Sequence, residues 1–349
     1  MHITMDSIRP IKWLDGKLHL LDQRQLPGKE VVLEFSDVAA VAKAIRDMVV
    51  RGAPAIGITA AYAIVLAAQR HYRELAVDWR SAIEADLQIL ASARPTAVNL
   101  QWAITEMRRG FGLLVGDPTS SLLARARAIH DQDLAANYRM GQLGAELIQQ
   151  PGAIITHCNA GALATGGYGT ALGVVRCAYA KGKITRVYAD ETRPWLQGAR
   201  LTAWELVKEQ IPVTLMVDSA AATIMQRGDI RWVIVGSDRI AANGDVANKI
   251  GTYGLAIAAH FHGIKFMVVA PTTTVDLATG SGAQIEIEHR SGDELSQINS
   301  VEQSVAAADV INPAFDVTPA ELIDVIVTER GVIMSPNQEK LKAMMEKAG

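Results

Sequence analysis

Hydrophobic and polar positions fall into two successive patterns along the chain. The run IKWL-DG-KLHLL sets apolar-rich segments on either side of Asp15-Gly16. That pair tolerates the positive φ of a tight turn, so a β-hairpin is predicted. From Ser36 the period becomes helical: Val38, Val41, Ile45, Met48 and Val49 recur at helical spacing, with Ser36 as the expected cap. Pro54 suits the first turn of a second helix, Pro54 to about Arg70. Further helical patterns cover about Asp78 to Ala93 and Val98 to Gly110. A long one runs from Pro118 to Gln149, with a Thr119/Ser120 cap and Pro151-Gly152 as its stop.

After Pro151 short apolar, β-branched-rich runs take over: Ala153–Thr156, Arg186–Ala189, Val213–Val217, Trp232–Gly236 and Phe266–Ala270, with Asp324–Thr328 as a weaker sixth. Helical patterns such as Gly198–Glu209, Ala220–Gln226 and Gly251–His262 separate several of them. This βα alternation predicts an α/β fold with a doubly wound, mainly parallel sheet. The expected division is a smaller N-terminal domain of a hairpin plus helices (1–117), a connecting helix (118–150) and an α/β domain (151–349).

Length and composition narrow the picture. A chain of 349 residues is long enough for about two domains. A 49% hydrophobic and 20% charged composition excludes a disordered chain. With 34 Lys+Arg against 37 Asp+Glu the net charge is −3, so neither nucleic acid nor a membrane surface is an expected partner. Two cysteines cannot build a disulfide framework. The first thirty residues carry Asp6, Arg9, Lys12, Asp15 and Lys17, which does not read as a signal peptide. Two uncharged stretches, Gly52–Gln69 and that around NAGALATGGYGTALGVV, are rich in Gly, Ala and Thr and read as packed core. A soluble, cytoplasmic protein is the expectation.

Ligands on doubly wound sheets bind beyond the carboxyl ends of strands. Those ends carry His157-Cys158-Asn159, Asp190-Glu191-Thr192-Arg193 and then Gln197, Asp218-Ser219 and Ser237-Asp238-Arg239, while Asn248-Lys249 closes the loop ANGDVANK just ahead of a helix. The loop GYGTALG at 167–173 nearly matches a dinucleotide fingerprint, but it does not follow its strand directly and its third Gly is one place late. It reads better as amides at a helix start that cradle an anion. A lone cysteine is ordinarily a small buried hydrophobe. Cys158, at a strand end beside a glycine-rich turn, is instead placed to ionise or transfer a proton, whereas Cys177 reads as core and His157 as a structural histidine. Asp238 follows a strand buried on both faces, so desolvation should raise its pKa and suit it to acid–base work; the plainer reading is a cap or an ion pair with Arg239. Lys249 is expected at a helix start, where a cation opposes the dipole, and that cost argues for an anionic ligand. Arg51-Gly52-Ala53 and Arg94 flank helix breaks and would add positive charge for a phosphate ester. His260 and His262 face different sides of a helix. No His and carboxylate set has convincing metal spacing, so neither a metal nor a cofactor is expected.

The blocks MVVRGAPAIG, ARPTAVNL, ITHCNAGALATGGYGTALGV, VYADETRPWLQGARLTAWEL, VGSDRIAANGDVANKIGTYGLA and INPAFDVTP resemble the 5-methylthioribose-1-phosphate isomerase family. These aldose–ketose isomerases belong to methionine salvage, and the resemblance runs over nearly the whole chain. The wider family includes regulatory subunits of translation initiation factor 2B and ribose-1,5-bisphosphate isomerases. The resemblance implies a helical N-terminal domain on a Rossmann-like C-terminal one, usually as a homodimer, acting on a sugar phosphate. It implies Cys158 and Asp238 as catalytic, with Asp238 a proton donor. It implies Arg51, Gly52, Ala53, Arg94, Gln197, Asn248 and Lys249 as substrate-binding.

In such a substrate the phosphate sits on the anomeric oxygen, so the ring cannot open to a free aldehyde. Opening needs an acid on the ring oxygen, and a hydrogen then moves from C2 to C1, through an enediol or as a hydride. A water-excluding pocket favours the hydride. Three competitors stand beside this reading: a non-catalytic regulatory subunit, an isomerase of ribose 1,5-bisphosphate or 5-deoxyribose 1-phosphate, and a nicotinamide dehydrogenase. A second phosphate would need basic residues where a methylthio group needs apolar ones.

Overall fold

The computed structural model describes residues 6–95, 97–298, 301–302 and 308–346, so Thr96 of the ARPTAVNL block lies outside the described residues. It opens with an antiparallel sheet, β1 (Ile11–Leu14), β2 (Lys17–Leu21) and β3 (Val32–Phe35). Asp15 and Gly16 take φ of 50° and 77° at the turn, and Leu14 pairs with Lys17. The third strand was not expected; it is short, and Val32 is largely exposed.

Five helices follow: α1 (Val38–Arg46), α2 (Ala53–Leu75), α3 (Trp79–Ala93), α4 (Val98–Arg108) and α5 (Thr119–Leu147). Two caps differ from expectation. Asp37, not Ser36, is extended before α1, and its Oδ1 accepts the Ala40 amide at 2.9 Å. Both residues are good caps, and only the one adopting the extended φ/ψ can serve. Pro118 precedes α5, where Asp117 rather than Thr119 or Ser120 supplies the oxygen, accepting the Thr119 amide at 2.9 Å. Met48 and Val49 fall beyond the end of α1.

Helix α2 is continuously buried from Ala55 to Ala68 and packs against α3, α4 and α5. It is long and apolar enough to cross a bilayer, but 78% of its apolar window is covered by the rest of the protein. It is the axis of the N-terminal core, around Ile45, Ile58, Ile64, Ile83 and Leu100.

The second half alternates strands and helices: β4 (Gly152–Thr156), α6 (Ala171–Ala180), β5 (Ile184–Asp190), α7 (Ala203–Lys208), β6 (Val213–Met216), α8 (Ala221–Met225) and β7 (Ile230–Val235). Next come β8 (Arg239–Ala241), β9 (Val246–Lys249), α9 (Thr252–Phe261), β10 (Lys265–Val269) and β11 (Val275–Asp276). The last part holds α10 (Asp293–Ser296), β12 (Gln297–Ile298), β13 (Val301–Glu302), β14 (Phe315–Thr318), β15 (Val325–Thr328), β16 (Gly331–Met334) and α11 (Gln338–Glu346).

Seven strands form the main sheet in the order β16-β15-β10-β7-β4-β5-β6, parallel apart from β16. Alternate residues face opposite sides. Ile155, Val233, Val235 and Val268 pack toward α8 and α9. Ile154, Val187, Ile234 and Met267 pack toward α5 and α6. Each such side chain, fully buried, contributes about 1.5–3 kcal/mol. The chain winds from β4 outward through β5 and β6, then returns to place β7 on the other side of β4. The sheet therefore reverses direction between β4 and β7, where a ligand crevice opens.

Candidate active site

The cleft sits at that reversal. Cys158 follows β4, Asp238 follows β7, Gln197 precedes the π-helical turn Gly198–Thr202, and Asn248 and Lys249 end β9. The N-terminal half closes the other side with Arg51, Gly52 and Ala53 at the start of α2 and Arg94 at the end of α3. All nine residues line one cleft. Gly52 is required there: its φ is 96°, and a Cβ would stand 2.6 Å from the Ala164 backbone. The helix that starts beside it leaves its first amides without intrahelical partners at the cleft.

Cys158 takes a left-handed φ of 61°, held by its amide donating to Thr192 Oγ1 at 2.8 Å and its carbonyl accepting from Thr202 Oγ1 at 2.5 Å. Burial pushes its thiol pKa up; Arg51 and Lys249 pull it down, and Asp238 adds to the rise. Burial likewise raises the Asp238 carboxyl pKa, against the opposing pull of Lys249, Arg51 and Arg94. Both groups therefore hold their protons at higher pH than free side chains do.

Two cations in the cleft, the buried Lys249 and the partly buried Arg51, bond neutral groups. Lys249, 7% exposed, donates to the Ala314 carbonyl at 2.6 Å and stands 4.3 Å over the Phe315 ring. Burial lowers its pKa, while Cys158 and Asp238 raise it. Its placement corrects the expected helix start: Lys249 ends a strand in the β8–β9 hairpin, and Gly251 caps α9. Arg51 donates from Nη1 to the Asn159 carbonyl and Oδ1, both at 2.8 Å. Asn248 bonds Thr252 Oγ1 at 3.0 Å. Gln197 is 4% exposed, and its Oε1 has no protein partner among the described residues, so it can accept from a ligand hydroxyl.

In the glycine loop, the amides ahead of α6 are engaged within the protein. Gly166 donates to Asp133 Oδ2, Gly167 to Thr165 Oγ1 and Gly169 to the Gly167 carbonyl, so these amides serve the protein. A Cβ on Gly169 would lie 2.4 Å from Gly161, so close backbone packing explains the glycine. The loop meets the cleft through Ala164, Thr165 and Thr170.

Sequence reading missed the supports. Asn159 Nδ2 donates to Glu205 at 2.9 Å; Glu205 also accepts the Ala162 and Leu163 amides and pairs with the fully buried Arg176, which meets Glu209 too. Charges in a helical pattern ordinarily read as a solvated face, so nothing in the spacing marked them. His157 is buried, as a structural histidine should be: Nδ1 meets Asp190 at 2.9 Å and Nε2 donates to the Ile250 carbonyl at 2.8 Å. Burial opposes its charge, but Asp190 and the Ile250 carbonyl prevail and raise its pKa. His157, Asp190 and Asp218 lie close enough to share an ion. The Asp218 oxygens are already engaged by the Thr192 and Arg193 amides, at 2.7 Å each. Also unforeseen was the 285–290 segment, which brings Ile285, Ile287, Glu288 and Arg290 to the cleft wall.

Residues 49–335 match the Initiation factor 2 subunit family. Methylthioribose-1-phosphate isomerase of Thioalkalivibrio sulfidiphilus is 56% identical over 344 residues, covering 99% of both chains. That of Pseudomonas aeruginosa is 57% identical over 351 residues, covering 99% of this chain and 98% of the relative. The crystal structure of 5-methylthioribose 1-phosphate isomerase from Pyrococcus horikoshii superposes with a TM-score of 0.90 at 41% identity, covering both chains fully. A structure described as translation initiation factor eIF-2B subunit delta from A. fulgidus gives 0.86 at 42% identity, covering 96% of this chain and all of the other. The chain belongs to the Initiation factor 2 subunit family, on its methylthioribose-1-phosphate isomerase branch.

Proposed function

We propose that the cleft converts 5-methylthioribose 1-phosphate to 5-methylthioribulose 1-phosphate, the aldose–ketose isomerisation of methionine salvage, with Cys158 and Asp238 as its acid–base pair. The enzyme class and the substrate follow from full-length relatives more than half identical to this chain. The observation that carries the site is the convergence of two proton-retaining groups and two cations, Arg51 and Lys249, at the sheet reversal. In the chemistry, Asp238 gives its proton to the ring oxygen as the C1–O bond breaks. A hydride moves from C2 to C1 and C2 becomes the ketone, while the C2 hydroxyl proton passes to the Cys158 sulfur as the thiol hands its own proton to the Asp238 carboxylate. One proton leaves Asp238 and one returns to it, so Cys158 ends as a thiol and Asp238 as a carboxylic acid, each in its starting state. Arg51, Lys249, Arg94 and the Gly52-Ala53 backbone hold the phosphate. Gln197 and Asn248 bind sugar hydroxyls.

The same reading divides the chain at 1–117, 118–150 and 151–349, and takes it to be a cytoplasmic homodimer. Tyr253, Ile257 and Phe261, spaced four apart on α9, form an exposed apolar row that a second copy would cover. Sedimentation at micromolar protein tests that assembly; a monomer would count against it.

Arg94→Ala is expected to raise KM at least about tenfold with kcat little changed, because a phosphate clamp acts alike on ground and transition states. A fall in kcat alone would remove Arg94 from the clamp. The site as a whole is tested by amide hydrogen exchange. Product should slow exchange in both residues 51–57 and residues 158–165, since a ligand touching all nine residues spans the two halves of the cleft. Protection confined to the second segment would shrink the site to the residues of the sheet half.

A further inference from the structure

Five cationic side chains reach the cleft, and they differ in what accompanies them. Arg94 meets Glu288 at 3.0 Å, Arg290 pairs with Glu294, and Arg239 meets Asp276 at 3.5 Å. Arg51 and Lys249 bond carbonyls and an amide oxygen instead, with no carboxylate at ion-pair distance among the described residues. The three pairs are neutral as units, so uncompensated positive charge is confined to Arg51 and Lys249, while Glu286, exposed on the same wall, adds a further negative charge. A phosphate monoester carries a charge of about −1.5 to −2 at neutral pH, which two cations match. Nothing is left over for a second phosphate.

We propose that Glu288 is a specificity-determining residue. By neutralising Arg94 on the cleft wall, it limits the site to one phosphate and obliges carbon 5 of the sugar to carry an uncharged group. Arg94 spends one nitrogen on Glu288 and keeps its other donors for the ligand, so it binds by hydrogen bonds without adding net charge. Glu288 stands beside Ile285 and Ile287 on the same segment, so apolar surface and a like charge both face an incoming anion there. Rejection built from a repulsive group is an economical way to separate two ligands that share one end.

The proposal rests on the isomerase reading above, and its test keeps the two apart. KM for 5-methylthioribose 1-phosphate and Ki for ribose 1,5-bisphosphate as a competitor are measured in the wild type, Glu288→Gln and Glu288→Ala. The first substitution keeps an oxygen for Arg94 and removes the charge; the second removes both. Each is expected to lower Ki for the bisphosphate at least tenfold relative to KM, with the gain shrinking in high salt. Glu288→Ala carries the test if Glu288→Gln fails to fold. A Ki to KM ratio within twofold of the wild type in the folded variants would overturn the proposal, as would KM and Ki rising together. No wild-type turnover of 5-methylthioribose 1-phosphate would instead remove the reading beneath it.

Discussion

Asp238→Asn and Cys158→Ser are each expected to fold and to lose at least about 10²-fold in kcat, the low end for an acid–base group. Each exchange is nearly isosteric, so the cleft keeps its shape. What changes is the proton: an amide cannot release one, and a buried hydroxyl holds it far more tightly than a thiol. Asp238 adds a pH signature. Its pKa is raised, chiefly by burial, and it must be protonated to act as the donor. Wild-type kcat/KM should therefore fall as pH rises through that elevated pKa, and Asp238→Asn should lose this limb. Cys158, pushed up in the same way, stays a thiol through neutrality. Unchanged kcat in either folded variant would remove that residue from the mechanism.

Arg176→Met is expected to cost about 3–5 kcal/mol of stability, the usual result of stranding buried charge. Arg176 is fully buried, 2.8 Å from Glu205 and 2.5 Å from Glu209, and both acids are buried as well. Removing the guanidinium leaves two carboxylates facing each other without a counter-charge. The loss should extend to function, because Glu205 fixes the loop after Cys158 and orients Asn159, on which Arg51 rests. Urea unfolding checks the first part; a midpoint matching the wild type would show that the network does not support the fold.

The parts legible in sequence were those governed by short-range rules. Period-2 and period-3.6 patterns marked the strands and helices of the main sheet, since each must bury one face or both. Cys158 and Asp238 were legible because they follow strands, where a doubly wound sheet must present its ligands, whereas Arg51, Gly52, Ala53 and Arg94 were marked only by breaks between helices. What escaped depends on contacts between distant segments. Glu288 meets Arg94 across 194 positions of chain, and Arg176 meets Glu205 across 29. Lys249 was placed on a helix start because its strand is only four residues long and contains Asn and Lys. The exchange of Ser36 for Asp37 as cap turned on one φ/ψ choice between two equally able neighbours. The role of Gly169 was not legible because glycines that admit a phosphate and glycines that admit another backbone share one spelling.

The central claim is that this cleft interconverts an aldose 1-phosphate and its ketose without disturbing the phosphate. NMR of the wild-type enzyme with 5-methylthioribose 1-phosphate tests it most directly. The anomeric proton signal should disappear, a C2 ketone carbon should appear, and the phosphorus signal should remain that of a monoester. Asp238→Asn should leave the aldose spectrum unchanged over the same period. Bound but unconverted substrate in the wild type, or release of inorganic phosphate, would contradict the account.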